Sequence, residues 1–87
     1  MRANQKEALN RLASIEGHLK GIRRMIEEDA YCVDILKQTY AVQRAIDKLD
    51  DVLLQSHLSA CVPEGIAAGR SEEVVAELGE LFALARR

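Results

Sequence analysis

Three residues in this 87-residue chain carry the side chains that soft-metal or thiol chemistry requires: Cys32, His57 and Cys61. Thiolates favour Cu(I), Zn(II) or iron–sulfur centres over harder ions, and an imidazole is a compatible third donor. His57 and Cys61 are four residues apart, so on a helix both project from one face, one turn apart. Taken alone, a His-x3-Cys pair reads most simply as a half-buried histidine beside an ordinary apolar cysteine. The third residue, Cys32, changes that reading. A structural zinc site normally supplies four ligands. Three soft donors without a fourth suit trigonal Cu(I) better, with zinc as the second candidate.

The elements that must position these donors are helical. Ala8, Leu12, Ile15, Leu19, Ile22 and Ile26 step by four and three in alternation, the pattern of one continuous helix seam. Asn4 with Glu7 three residues on has the form of an N-cap and its reciprocating acid. Gly17 and Gly21 share a face of that helix and offer a place for another backbone to approach. Asp29 is the expected cap of a second helix, whose seam runs through Ile35, Val42, Ile46, Leu49, Leu53 and Ala60, with Thr39 and Ser56 as polar members. Val33, Leu36, Val52, Leu54 and Leu58 widen its apolar stripe, so it should bury two faces. Pro63 and Gly65 are the expected breakers, with a loop over 63–70. Ser71, Glu72 and Glu73 then open a short third helix. The spacing predicts helices over about 4–28, 30–62 and 71–86, forming one all-α domain spanning 1–87: a long antiparallel hairpin plus a short third helix.

Helix length separates the donors. Cys32 precedes His57 by 25 residues, roughly 37 Å along an unbroken helix at 1.5 Å per residue. One chain cannot close the site. Two second helices packed antiparallel about a two-fold axis would bring Cys32 of one chain level with His57 and Cys61 of the other, giving two equivalent sites.

Composition calls for the same pairing. A chain this short buries only roughly 60–65% of the surface its unfolded form exposes. Its residues are 48% hydrophobic but 3% aromatic, which suits helix seams better than a sandwich or barrel core. The expected unit is therefore a four-helix bundle of two chains. No stretch approaches a membrane span or a signal-peptide core, so a cytoplasmic location is expected. In that reducing compartment two cysteines read as free thiols, metal ligands or redox centres. The net charge of −2 argues against a nonspecific nucleic-acid coat, but residues 1–24 hold six basic groups against two acidic ones. Such asymmetry can give one face a positive field, although a solvated helix face is the simpler reading. His18 lies between Ile15 and Leu19 with no thiol a helical turn away, and is read as structural or exposed.

The run from Arg11 to Cys32, RLASIEGHLKGIRRMIEEDAYC, closely resembles the first-helix signature of the CsoR/RcnR repressor family, and Leu54 to Val62, LQSHLSACV, resembles its later ligand segment. The resemblance covers essentially the whole chain. It implies a homotetramer, a dimer of dimers, that binds a GC-rich operator DNA without metal and leaves it when metal binds. It implies Cu(I), one per protomer at the subunit interface, held by Cys32, His57 and Cys61. Nickel and cobalt members add N-terminal histidine ligands, formaldehyde-responsive members usually lack the second cysteine, and persulfide sensors lack the histidine; the copper branch fits best. Tyr31 and Glu77 match a polar pair through which copper sensors relay metal binding, and an imidazole ligand does need a partner on its other nitrogen. Packing for Tyr31 and a solvated position for Glu77 are the simpler readings.

There is no helix-turn-helix spacing, zinc finger or set of stacking aromatics. DNA contact would come from helix faces, through phosphate neutralisation and shape, with Arg11, Lys20, Arg23, Arg24, Arg44 and Lys48 as candidates. Arg11 and Lys48 align with basic positions implicated in the family. Lys48 stands where Arg is common, which keeps the charge but loses the bidentate fork. The rivals are a persulfide- or oxidant-sensing repressor, a zinc- or nickel-sensing one, and a copper-sequestering protein without a DNA role. An enzyme is not expected, because donors at opposite ends of a helix leave no room for a substrate pocket.

Overall fold

The computed structural model describes residues 4–86, which form an elongated body of 55 × 29 × 14 Å. Helix α1 spans Gln5–Glu27 and packs against α2, Cys32–Ser56, as an antiparallel hairpin. A π-helical turn, His57–Cys61, carries the second arm directly into α3, Val62–Ala67. Backbone angles stay right-handed helical from Ser56 through Val62. The last helix, α4, spans Ser71–Ala85 and is held to α3.

The hairpin core follows a heptad split of each seam. Ala8, Ile15 and Ile22 are buried, and Ile15 and Ile22 pack with Val42, Ile35, Ala45 and Leu49 of α2. The alternate seam members, Leu12, Leu19 and Ile26 on α1 and Ile46 and Leu53 on α2, are exposed. Each helix thus spends half its seam on the hairpin and leaves the other half bare. Only five hydrophobic residues among those described are buried, four of them in the hairpin and Val74 on α4. A core so small leaves a large apolar surface exposed. Across the hairpin, His18 Nε2–H donates to Gln38 Oε1 at 2.7 Å, so His18 is a structural tie. Among the described residues, nothing beyond their own helix lies within 4 Å of where a β-carbon on Gly17 or Gly21 would stand. No helix among the described residues is long and apolar enough to cross a membrane.

Both sharp turns are Schellman motifs. After α1, Asp29 adopts φ 56°, with Asp29 N–H donating to Ile26 O and Ala30 N–H to Met25 O. After α3, Gly69 adopts φ 80°, with Gly69 N–H donating to Ile66 O and Arg70 N–H to Gly65 O. These are the 5→2 and 6→1 bonds that satisfy the last helix carbonyls.

Three local expectations are corrected. Asp29 closes α1 instead of capping α2, whose N-cap is Tyr31 with no side-chain cap bond; its left-handed φ of 56° places it in the turn that ends α1, two residues ahead of that N-cap. Asn4 stands at the N-cap of α1 but in a left-handed conformation, also without a side-chain cap bond, and Glu7 engages Arg11 instead. Finally, Pro63 does not end the second arm. It occupies the first turn of α3, where a missing N–H is tolerated, and helix continues to Ala67 before Gly69 stops it.

Candidate metal centre and basic surface

The unbroken run of α2 from Cys32 to Ser56 keeps Cys32 roughly 37 Å from His57 by helical rise. Cys32 is an exposed free thiol and Cys61 a half-buried one. Among the described residues, no three of His, Cys, Asp and Glu gather into a group that could hold a metal ion. A three-donor site therefore cannot form from the described residues of one chain.

The other two donors share an unusual piece of backbone. The π turn begins at His57 and ends at Cys61, and Val62 N–H donates five residues back to His57 O. Such turns are rare and concentrate at functional sites. Ser59 Oγ–H donates to Ser56 O at 3.4 Å, adding a side-chain bond to the loosened ladder. Ser56, immediately before the turn, is only 1% exposed.

His57 carries the most telling electronic feature. Its Nε2 is buried and has no hydrogen-bond partner among the described residues. Leaving a buried polar atom unsatisfied costs about 1–3 kcal/mol, so a partner from outside the described residues would be stabilising at this nitrogen. An imidazole nitrogen free of other partners, one turn from a free thiol, fits a soft cation. His57 also lines a cleft of about 740 Å³ between α2 and α4, together with Leu54, Leu78, Leu81 and Phe82. Asp47, Asp50 and Asp51 are part of the same lining. Tyr31 is 68% exposed at the start of α2 and Glu77 is exposed on α4. Within one chain neither bonds to His57 Nε2.

The basic candidates divide into two groups. Arg11 of α1 faces Arg44 and Lys48 of α2 across a cavity of about 320 Å³, which Ser14, Ala41 and Ala45 complete. Lys20 and Arg23 line a separate shallow groove with Leu19, Ile22 and Ile26; Arg24 lines neither of these two. Two of the candidates are tied to carboxylates one turn away, Arg11 to Glu7 at 3.4 Å and Arg23 to Glu27 at 3.7 Å. Both pairs are exposed enough to exchange partners at little cost. The first group spans two helices, so its cations present a surface fixed by the hairpin rather than by one helix.

Sequence reasoning missed the π turn, although Pro63 two residues beyond Cys61 was a signal for it. It also missed the orphaned nitrogen, which depends on how the arms fold together and has no local mark.

The fold is a helical hairpin whose second arm carries one thiol at its start and a thiol with an imidazole at its far end. The profile of the metal-sensitive transcriptional repressor family matches residues 4–84, and the chain belongs to that family. It is similar to the copper-sensing transcriptional repressor CsoR of Mycobacterium tuberculosis, 43% identical over 76 residues, or 87% of this chain and 64% of that protein. The CsoR of Bacillus subtilis is 45% identical over 73 residues, 84% of this chain and 72% of that one. The chain thus spans just under two thirds of the length of the mycobacterial relatives. Among solved structures, CsoR with Cu(I) from Geobacillus thermodenitrificans NG80-2 matches all of this chain and 91% of its own, with TM-score 0.89 at 31% identity. The nickel-responsive transcriptional regulator InrS matches 99% of this chain and 94% of its own, with TM-score 0.74 at 35% identity. The expected all-α hairpin with a short last helix is the fold of that CsoR structure.

Proposed function

We propose that this chain is a Cu(I)-responsive transcriptional repressor, acting in the cytoplasm, that binds operator DNA in the apo form and releases it when Cu(I) binds between subunits. Cys32 of one protomer and His57 and Cys61 of another hold the ion. The observation that carries this reading is the division of the donors. An exposed thiol stands at one end of an unbroken helix, and a thiol with an unsatisfied imidazole stands at the other. An antiparallel pairing of two such helices closes two sites at once. The bare half-seams, Leu12, Leu19 and Ile26 with Ile46 and Leu53, supply the apolar surface for that pairing and for assembly into a tetramer.

Bound Cu(I) supplies a soft Lewis-acidic centre whose occupancy signals the metal level. The chain's own residues do the rest. Cys32 and Cys61 would bind it as thiolates, their protons released to solvent, and His57 would offer its unpartnered nitrogen. Tyr31 and Glu77 would serve the imidazole's other nitrogen, the one that does not face the metal. Arg11, Arg44 and Lys48 face DNA phosphates, with Lys20, Arg23 and Arg24 extending the positive surface. Coupling between the two sites is reciprocal, so operator DNA weakens Cu(I) affinity by the factor by which Cu(I) weakens DNA affinity.

The deciding experiment titrates operator DNA with apo and Cu(I)-loaded protein. Weaker binding by the loaded form is expected, and equal binding overturns the reading. The similarity to a nickel-responsive regulator makes Ni(II) and Zn(II) the metals to run beside Cu(I). Replacing His57 by Ala separates copper sensing from thiol-based sensing, because persulfide or oxidant chemistry at Cys32 and Cys61 survives that change and the copper response does not.

A further inference from the structure

We propose that Pro63 is a positioning residue for the metal centre: it holds the backbone in the π register that sets the His57 and Cys61 side chains beside one another. The proposal rests on the metal-responsive reading above and deepens it.

In an ordinary α-helix Pro63 would meet two obstacles. It has no N–H to give to the carbonyl of Ser59, and its ring would collide with that carbonyl. The rod nevertheless continues into Pro63 with helical angles on both sides of the turn, Ser56 at φ −62°, ψ −42° and Val62 at φ −64°, ψ −51°. The conflict is relieved one residue earlier, where Val62 N–H reaches back to His57 O instead of to Leu58 O. The residues enclosed by that wide turn are His57 to Cys61, the two donors at its ends.

The register matters for the donors. At 3.6 residues per turn, a residue four positions on lies about 40° beyond a full turn. A turn closed by i→i+5 bonds holds more residues, so each step rotates less and Cys61 no longer overshoots a full turn from His57. Within the turn His57 Nε2 is buried and unpartnered among the described residues, and Cys61 is half-buried. Below the turn, α3 is short, and Gly65 locks it against Val74 of α4. The turn is therefore held from both ends, by the hairpin above and by α4 below, with Pro63 setting its register.

The test is Pro63→Ala, which restores an N–H and removes the ring while leaving every donor in place. In the apo protein, hydrogen-bond couplings in NMR should show Val62 N–H moving from His57 O to Leu58 O; persistence of the i→i+5 bond without the proline overturns the proposal. In the Cu(I) protein, X-ray absorption should show the nitrogen scatterer weakened or lost relative to wild type. Competition against a Cu(I) chelator should show affinity reduced by about tenfold to a hundredfold, the range for residues that orient ligands. Helicity and melting temperature serve as the folding control, since Ala favours helix and should not lower them. Unchanged affinity and coordination in Pro63→Ala, with wild type binding normally, overturns the positioning role alone. Failure of wild type to bind Cu(I) through these donors overturns the underlying reading and the proposal with it.

Discussion

Gly65 faces Val74 with no room for a side chain: a β-carbon on Gly65 would lie 2.6 Å from Val74 Cγ2. Val74 is the one buried hydrophobic residue of α4 among those described, so this contact anchors the last helix to the arm that carries the donors. Gly65→Ala should push the helices apart and cost about 1–3 kcal/mol, as overpacking does, read as a lowered urea midpoint. The double variant Gly65→Ala, Val74→Ala should regain part of that loss, because the clash goes with the methyl group it strikes. If the single variant is as stable as wild type, the anchor is elsewhere.

Asp29 and Gly69 perform the same backbone task with different residues. Both take positive φ, 56° and 80°, and both close a Schellman turn. A left-handed conformation costs a residue with a β-carbon about 1–2 kcal/mol, less for Asp or Asn. Asp29→Gly should therefore raise stability by about 0.5–1 kcal/mol, while Gly69→Ala lowers it by about 1–2 kcal/mol. Thermal melts of the two variants would show opposite shifts. A loss in Asp29→Gly would mean that the carboxylate has a role beyond the turn.

These two turns also mark where sequence reasoning reaches its limit. The stepping of Ala8 to Ile26 and of Ile35 to Ala60 was enough to specify two long helices, because burial of a stripe is a property of the pattern. The division of each seam was not, since nothing local distinguishes Ile15, which is buried, from Leu19, which is exposed; only the crossing of the arms decides it. Asn4, Asp29 and Pro63 were misread for one shared reason. Each is a residue whose preference is set by the side chain, and each was overruled by the local backbone geometry. The separation of the proposed donors Cys32, His57 and Cys61 was legible because their spacing along one helix fixes it. The unsatisfied Nε2 and the widened turn were not, being consequences of packing and of a proline beyond the motif.

The cavity between Arg11, Arg44 and Lys48 leads to a prediction about salt. If each cation neutralises one phosphate, Arg11→Ala and Lys48→Ala should each weaken operator binding across sequences and lower the magnitude of the log–log salt slope by about one. Cu(I) stoichiometry should not change in either. Lys48→Arg should strengthen binding, since it adds a bidentate fork. Glu7→Gln frees Arg11 from its 3.4 Å ion pair and should give a smaller gain in the same direction. Fluorescence anisotropy over a range of salt concentrations measures all four, and a slope that does not move with Arg11 or Lys48 removes that surface from the interface.

The division of the donors between chains can be tested without a structure of the assembly. Cys32→Ala alone lacks one donor at every site, and so does His57→Ala alone, so each should lose tight Cu(I) binding. In a dimer made of one subunit of each kind, the outcome depends on where the site lies. An intersubunit site pairs the intact His57 and Cys61 of the first variant with the intact Cys32 of the second, and one complete site returns. The opposite site loses two donors and stays empty. Unfolding and refolding an equal mixture makes half the dimers mixed, so about a quarter of the wild-type Cu(I) capacity should reappear if pairing is random in a two-fold dimer. A site contained within one chain would regain nothing on mixing. Chelator competition on the refolded mixture, beside each variant refolded alone, reads the difference directly: a quarter of the capacity supports the shared site, and none rules it out.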